Sequence, residues 1–230
     1  MNRVPGLLAM VVGSLTLAAC GGHADNNDMQ PAPAMPPPRG SLIESPPART
    51  ASLTPDQIAS VLTNAEGGQL LLDLIVSPKC GIDIHHVEYN TVDPTNTATT
   101  ASAAMFVPTG SDPACQGPRP IVLYAHGTAA QRSLNLADTT NEDNLEGLLA
   151  ATMFTTQGYI LIAPNYTGYD MSALTYNPYL NADQEAKDMI DALTASRSAL
   201  PTSFAPTVTD SGKLFVTGYS QGGHVAMATH

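Results

Sequence analysis

The run Lys213-Leu214-Phe215-Val216-Thr217-Gly218-Tyr219-Ser220-Gln221-Gly222-Gly223 decides the fold. Lys213 to Thr217, apolar at its centre, suits a buried strand, and the segment from Gln221 onward suits a helix. Between them, Gly218-Tyr219-Ser220-Gln221-Gly222 has the G-x-S-x-G spacing. In that motif a sharp strand-to-helix turn exposes the serine hydroxyl, and the flanking glycines let the backbone fold closely. The pentapeptide alone is a weak signal; a strand running in and a helix running out make it specific.

Working outward, the same alternation recurs. Ile121-Val122-Leu123-Tyr124 is a continuous apolar strand, and residues 142–157 place Leu145, Leu148, Leu149 and Met153 on one helical face before Gly158. Tyr159-Ile160-Leu161-Ile162-Ala163 is another buried strand. A helix over about 180–200 carries Ala186, Met189, Ile190 and Leu193 on one stripe, with Pro201 after it. Strands alternating with helices predict an α/β fold, a mostly parallel sheet with helices on both faces. Upstream, the runs 82–92 and 98–107 flank Asp93-Pro94-Thr95-Asn96 and read as an antiparallel hairpin. Before them, Thr54 as N-cap, Pro55 and Gln57 open a helix over 55–66 that Gly67-Gly68 stops.

A second chemical signal is Tyr124-Ala125-His126-Gly127-Thr128, at the end of a predicted parallel strand. Active sites of parallel sheets gather at the carboxyl ends of strands. An oxyanion there needs backbone N–H donors: Gln221 after the serine, and Gly127 or Thr128 from this loop. Together with Ala163-Pro164-Asn165-Tyr166-Thr167-Gly168-Tyr169, these motifs resemble the α/β-hydrolase family, and more narrowly its secreted lipase- and esterase-like members, over roughly residues 80–230. The resemblance implies that Ser220 attacks an ester carbonyl to form an acyl-enzyme, with the amides of Gln221 and Thr128 holding the oxyanion. It also implies that His126 shapes its loop rather than taking the proton. Tyr166 and Tyr169 either line an acyl pocket or pack the loop.

The family's triad runs Ser, then Asp or Glu, then His along the chain. This sequence ends at His230, so the base and its acid are missing from where the resemblance puts them, and the chain is expected to be the N-terminal part of a longer enzyme, truncated after the elbow. The Leu214-Phe215-Val216 strand is then expected to present an apolar edge. His224 would point along its helix, away from the serine, and His230 is a chain end. His85 and His86 are strand neighbours facing opposite sides and read as surface residues. No metal-ligand spacing and no phosphate-binding glycine loop appear, so neither metal nor cofactor is expected.

The first residues set an address. Arg3 precedes an apolar run, Leu7 to Ala19, of about 13 residues, whereas a spanning helix needs about 20. It reads as a signal peptide over 1–19, and Leu17-Ala18-Ala19-Cys20 resembles a bacterial lipobox, which implies lipidation of Cys20 and, with Gly21 next, attachment to the outer membrane. Residues 20–50, with Pro31, Pro33, Pro36, Pro37, Pro38, Pro46 and Pro47, read as a disordered tether ahead of a domain over 51–230. Cys80 and Cys115 remain as an even pair in an exported chain, and a disulfide between them is expected. With 9 Lys and Arg against 20 Asp and Glu, and a net charge of -11, the chain is the wrong sign for nucleic acid.

The function these features imply is a cofactor-free, lipid-anchored serine hydrolase of small-molecule or lipid carboxylic esters in the bacterial cell envelope. Two rivals stand beside it: a serine peptidase of the same fold, and a non-catalytic envelope lipoprotein.

Overall fold

The computed structural model describes residues 35–64, 76–141, 144–203 and 207–230. The expected signal peptide, Cys20 and residues 20–34 of the expected tether lie outside them. All elements belong to one unit, Pro36–His230. They are β1 (Ala48–Leu53), α1 (Pro55–Asn64), β2 (Gly81–Val92), β3 (Ala98–Thr109), β4 (Gly117–Ala125), α2 (Leu145–Phe154), β5 (Ile160–Pro164), α3 (Ala182–Ser203), β6 (Val208–Gly218) and α4 (Gln221–Thr229).

The six strands form one mixed sheet in the order β1-β2-β3-β5-β4-β6. Its first half is antiparallel: β1 with β2, β2 with β3 over the full hairpin from Gly81↔Thr109 to Val92↔Ala98, and β3 with β5. Its second half is parallel, β5 with β4 and β4 with β6. The predicted alternation is therefore found in the half that carries the serine, where β5 is buried at every position. Helices cover such strands, which is why they read as unbroken apolar runs.

Local signals work as expected where they are short-range. The capping box closes reciprocally, with Thr54 N–H donating to Gln57 Oε1 at 2.8 Å and Gln57 N–H to Thr54 Oγ1 at 3.3 Å. Asp93 Oδ1 accepts from the amides of Thr95 and Thr97 to build the hairpin turn. Gly158, at φ 94, ends a 3-10 turn after α2 in the left-handed region. The expected disulfide Cys80–Cys115 is present and ties the start of β2 to the turn before β4, across 35 residues.

Three expectations need correction. Residues 36–50 do not hang free as a tether: Gly40 N–H donates to Asn90 O, Leu42 bridges Tyr89, and the Arg39 guanidinium grips Asp191 with Nε and a terminal nitrogen at 2.9 and 3.1 Å. Proline-rich sequence lacks a core of its own, yet it can dock where a folded surface supplies the partners. The helix stripes are also displaced. On α2 the buried face is Gly147, Leu148, Ala150, Ala151 and Thr152, with Met153 exposed. On α3 Ile190 is exposed, while Gln184, Glu185, Asp188 and Asp191 are buried beside Met189, Ala192 and Ala195. Third, His85 and His86 are not surface residues. His85 is buried, and His86 Nε2 meets Asp170 Oδ2 at 2.6 Å. Burial opposes charge on His86, but the Asp170 carboxylate outweighs it and raises the imidazole, while its own carboxyl, which burial alone would raise, is held low by the His86 and Ser102 bonds.

At the other end, β6 pairs with β4 alone among the described residues. The apolar edge anticipated from Leu214-Phe215-Val216 is visible, with Leu214 39 % and Phe215 52 % exposed. The Phe215 ring meets Tyr159 edge-on at 6.2 Å. No described helix is long and apolar enough to cross a membrane.

Candidate active site

Adjacent parallel strands bring the two chemical signals together. Ala125, last of β4, is the register partner of Gly218, last of β6, and its carbonyl accepts from Tyr219 N–H at 3.2 Å. The chain then turns at Ser220, held at φ 53 and ψ -117, and enters α4 at Gln221. A non-glycine residue at such angles costs on the order of 1–3 kcal/mol and persists only where the surroundings over-determine it. The result is an exposed serine at the tip of a tight strand-to-helix turn.

The glycines are required by distance. A Cβ on Gly218 would lie 2.8 Å from Ala125 O and closer still to Gly222 O, and one on Gly222 would overlap Ala125 O. Both belong to the spacing that first marked the motif. On the other side, the Tyr219 ring lies 3.1 Å from where a Gly127 Cβ would be, so the 126–128 loop runs directly beside the elbow.

Of the amides expected to face an oxyanion, those of Gln221 and Thr128 donate to no acceptor among the described residues. Gly127 is different. Its N–H donates to Glu146 Oε1 at 2.8 Å, the same oxygen that accepts from Tyr124 OH at 2.8 Å. Burial first, and then the Glu146 carboxylate, push the Tyr124 phenol well up. Glu146, on α2, thereby pins the loop.

His126 is buried, with Nδ1 2.6 Å from Gly127 O and Nε2 3.3 Å from Asn165 O. Burial lowers its pKa, against the opposing effect of the Gly127 and Asn165 carbonyls and the Glu146 and Glu185 charges. The ring stacks on Tyr166 at 4.1 Å and meets Tyr169 edge-on at 5.8 Å. These contacts make it a brace of its loop. Tyr166 is fully buried and donates from its hydroxyl to His126 O at 3.1 Å, which makes it packing rather than pocket wall. Tyr169 donates to Ala129 O at 2.7 Å while one face lines a cleft of about 280 Å³ with Arg132, Tyr176 and Tyr179. A second cleft, about 240 Å³, is walled by His126, Thr128, Ser133, Asn144 and Glu146. Both share Ala129 and Ala130, immediately after the 126–128 loop.

Sequence reading missed the acids beneath the elbow. Glu185 Oε1 accepts from Gln221 Nε2 at 2.7 Å and Oε2 from His224 Nδ1 at 3.0 Å. Asp188 accepts from Thr167 N–H and Oγ1 and from Gln184 Nε2. Burial, helped by the nearby Asp191 charge and opposed by those bonds, pushes its carboxyl up to about 7. The available signal was the spacing of Glu185, Asp188 and Asp191, three residues apart in turn, as neighbours on one side of a helix are. No group of three or more metal-ligating side chains occurs among the described residues.

The fold has counterparts among solved structures. The rice cell wall degrading esterase LipA from Xanthomonas oryzae superposes with a TM-score of 0.68 at 34 % identity, over 84 % of this chain and 45 % of that one. Its ligand-bound form superposes with a TM-score of 0.70 at 32 % identity over the same shares. A hydrolase candidate from Legionella pneumophila gives 0.68 at 25 % identity, over 82 % of this chain and 46 % of that one. No protein-family model matches the chain, and no curated protein matches it by sequence. The chain spans a little under half the length of the structures it matches. Across that span its mixed sheet and flanking helices are those of the α/β-hydrolase fold.

Proposed function

We propose that this protein is a serine hydrolase of carboxylic esters, with Ser220 as nucleophile. The observation that carries the proposal is the elbow: an exposed serine at φ 53, followed by the unengaged amide of Gln221, with the 126–128 loop running beside Tyr219 and the Thr128 amide also unengaged. In the proposed reaction, Ser220 Oγ bonds to the ester carbonyl carbon while its proton passes to a general base. The carbonyl oxygen takes the negative charge and is held by the two N–H groups, which need no reorganisation as charge develops. Collapse expels the alcohol with that proton, and water repeats the sequence on the acyl-enzyme. His126 cannot be the base, since it is buried with both ring nitrogens against carbonyls. The base and its orienting acid are those that the family resemblance places after the serine in chain order.

The clefts beside Thr128 support a small-molecule ester substrate, and the structural likeness to an esterase supports ester over amide chemistry. Incubation with an alkyl fluorophosphonate, followed by peptide mapping, is expected to place the label on Ser220. Hydrolysis of nitrophenyl acyl esters, tested beside aminoacyl nitroanilides, is expected only for the esters and only with the serine intact. Identical behaviour of the Ser220→Ala variant in both assays would end the proposal.

The proposed setting is the outer membrane of a bacterial envelope, with lipid on Cys20. The sequence Leu17-Ala18-Ala19-Cys20 and a disulfide suited to an oxidising compartment support it. Metabolic incorporation of an alkyne fatty acid that is lost in Cys20→Ser tests it.

A further inference from the structure

Glu185 is 1 % exposed, and both of its carboxylate oxygens are occupied by groups around the elbow. Oε1 accepts from Gln221 Nε2 at 2.7 Å and from Leu180 N–H at 3.1 Å, and Oε2 accepts from His224 Nδ1 at 3.0 Å. Gln221 is the first residue of α4, and His224 lies in its opening turn. One buried carboxylate thus ties the loop entering α3 to the helix that follows Ser220.

Simple packing of α3 on α4 gives no reason for a charge here. A buried carboxylate is costly unless its lone pairs are filled, and an apolar side chain would join the helices without that cost. The elbow supplies the reason. α4 begins with Gln221-Gly222-Gly223, and glycines give its first turn little stiffness of its own. Ser220, held at φ 53, needs its surroundings to keep it there. The Gln221 N–H must also point at one place, because an oxyanion donor works only when its direction is set beforehand.

We propose that Glu185 is a positioning residue: by gripping the Gln221 side chain it fixes the direction of the Gln221 main-chain N–H beside Ser220. The proposal rests on the Ser220 reading above. Three variants separate its parts. Glu185→Leu removes both acceptors, whereas Glu185→Gln keeps an acceptor for Gln221 Nε2. Gln221→Met leaves the main-chain N–H in place and removes only the side-chain handle.

The experiment measures the second-order rate of Ser220 phosphonylation by an alkyl fluorophosphonate on the full chain, with the thermal midpoint of each variant. Glu185→Leu is expected to slow labelling by about ten- to a hundredfold, Glu185→Gln by no more than about threefold. The double variant Glu185→Leu/Gln221→Met is expected to be no slower than the slower single one, because both act through one contact. Wild-type labelling rate in a cooperatively folding Glu185→Leu protein, or multiplicative slowing in the double variant, would overturn the proposal. Should wild-type Ser220 take no label at all, the nucleophile reading fails first. Amide hydrogen exchange then decides the rest: faster exchange confined to 221–224 in Glu185→Leu supports the positioning role, and unchanged exchange there removes it.

Discussion

Gly222 on α4 and Ala125 at the end of β4 approach so closely that the Ala125 carbonyl oxygen occupies the place a Gly222 side chain would need. The same oxygen accepts from Tyr219 N–H, so it cannot yield without loosening the elbow. Gly222→Ala is therefore expected to abolish Ser220 labelling and to lower stability by several kcal/mol, as overpacking against backbone does (about 1–3 kcal/mol or more). Gly223, one residue on, has open space around its would-be Cβ. Gly223→Ala is expected to be neutral or to stabilise α4 by about 0.5–1 kcal/mol. Paired melting curves and labelling rates check both, and equal effects at the two glycines would contradict this geometry.

Glu146 holds the other side of the site through Gly127 N–H and Tyr124 OH, both at 2.8 Å. Glu146→Ala leaves a part-buried amide and a phenol without their acceptor, which costs on the order of 1–3 kcal/mol each when the groups are buried. It is expected to slow Ser220 labelling about tenfold through a loosened Thr128. Glu146→Gln keeps a carbonyl acceptor and is expected to restore most of the rate. If both variants label like the wild type, the Thr128 amide owes nothing to this contact.

The Asp188 carboxyl titrates at about 7 when folded against 3.8 as its ordinary value, because burial and Asp191 disfavour its charge. The folded state then holds this proton more tightly than the unfolded state does. Its contribution to stability is complete below about pH 4, declines as pH rises from 4 to 7, and levels off above 7. Asp188→Asn removes the decline, because an amide does not titrate in this range. Urea unfolding of both proteins at pH 5 and pH 8 is expected to show the variant gaining on the wild type by a few kcal/mol at the higher pH. A constant difference between the two pH values would refute the shift.

Cys80 and Cys115 are both buried, and their bond closes a 35-residue separation that contains the whole β2–β3 hairpin. On a chain-entropy basis the link contributes about 3–4 kcal/mol. Cys80→Ala/Cys115→Ala, or the wild type under reductant, is expected to unfold at markedly lower urea, with two thiols titrating only after reduction. Unchanged midpoints would mean that the docked 36–50 segment and the sheet already restrain this region.

Much of this architecture was legible because it rests on neighbours in sequence. Thr54 and Gln57 cap a helix three residues apart, Asp93 nucleates a turn within five, and Gly218-x-Ser220-x-Gly222, read with the apolar strand before it and the helix after it, marks a tight strand-to-helix reversal. The apolar runs 121–124 and 159–163 could satisfy their side chains only as strands covered on both faces. The acids were not legible. Glu146, Glu185, Asp188 and Asp191 look like solvated helix positions on hydropathy grounds, and their burial depends on donors from Gly127, Gln221, Thr167 and Arg39.

Residue order therefore dictates the strands, the turns, the cysteine pair and the position of the serine between β6 and α4, since each follows from backbone sterics and short-range periodicity. Which charges go inside, which amides stay unengaged beside Ser220, and where residues 36–50 lie are matters of three-dimensional assembly. A polar group can be buried only when distant segments deliver its hydrogen bonds, and no local pattern along a chain records who those partners are.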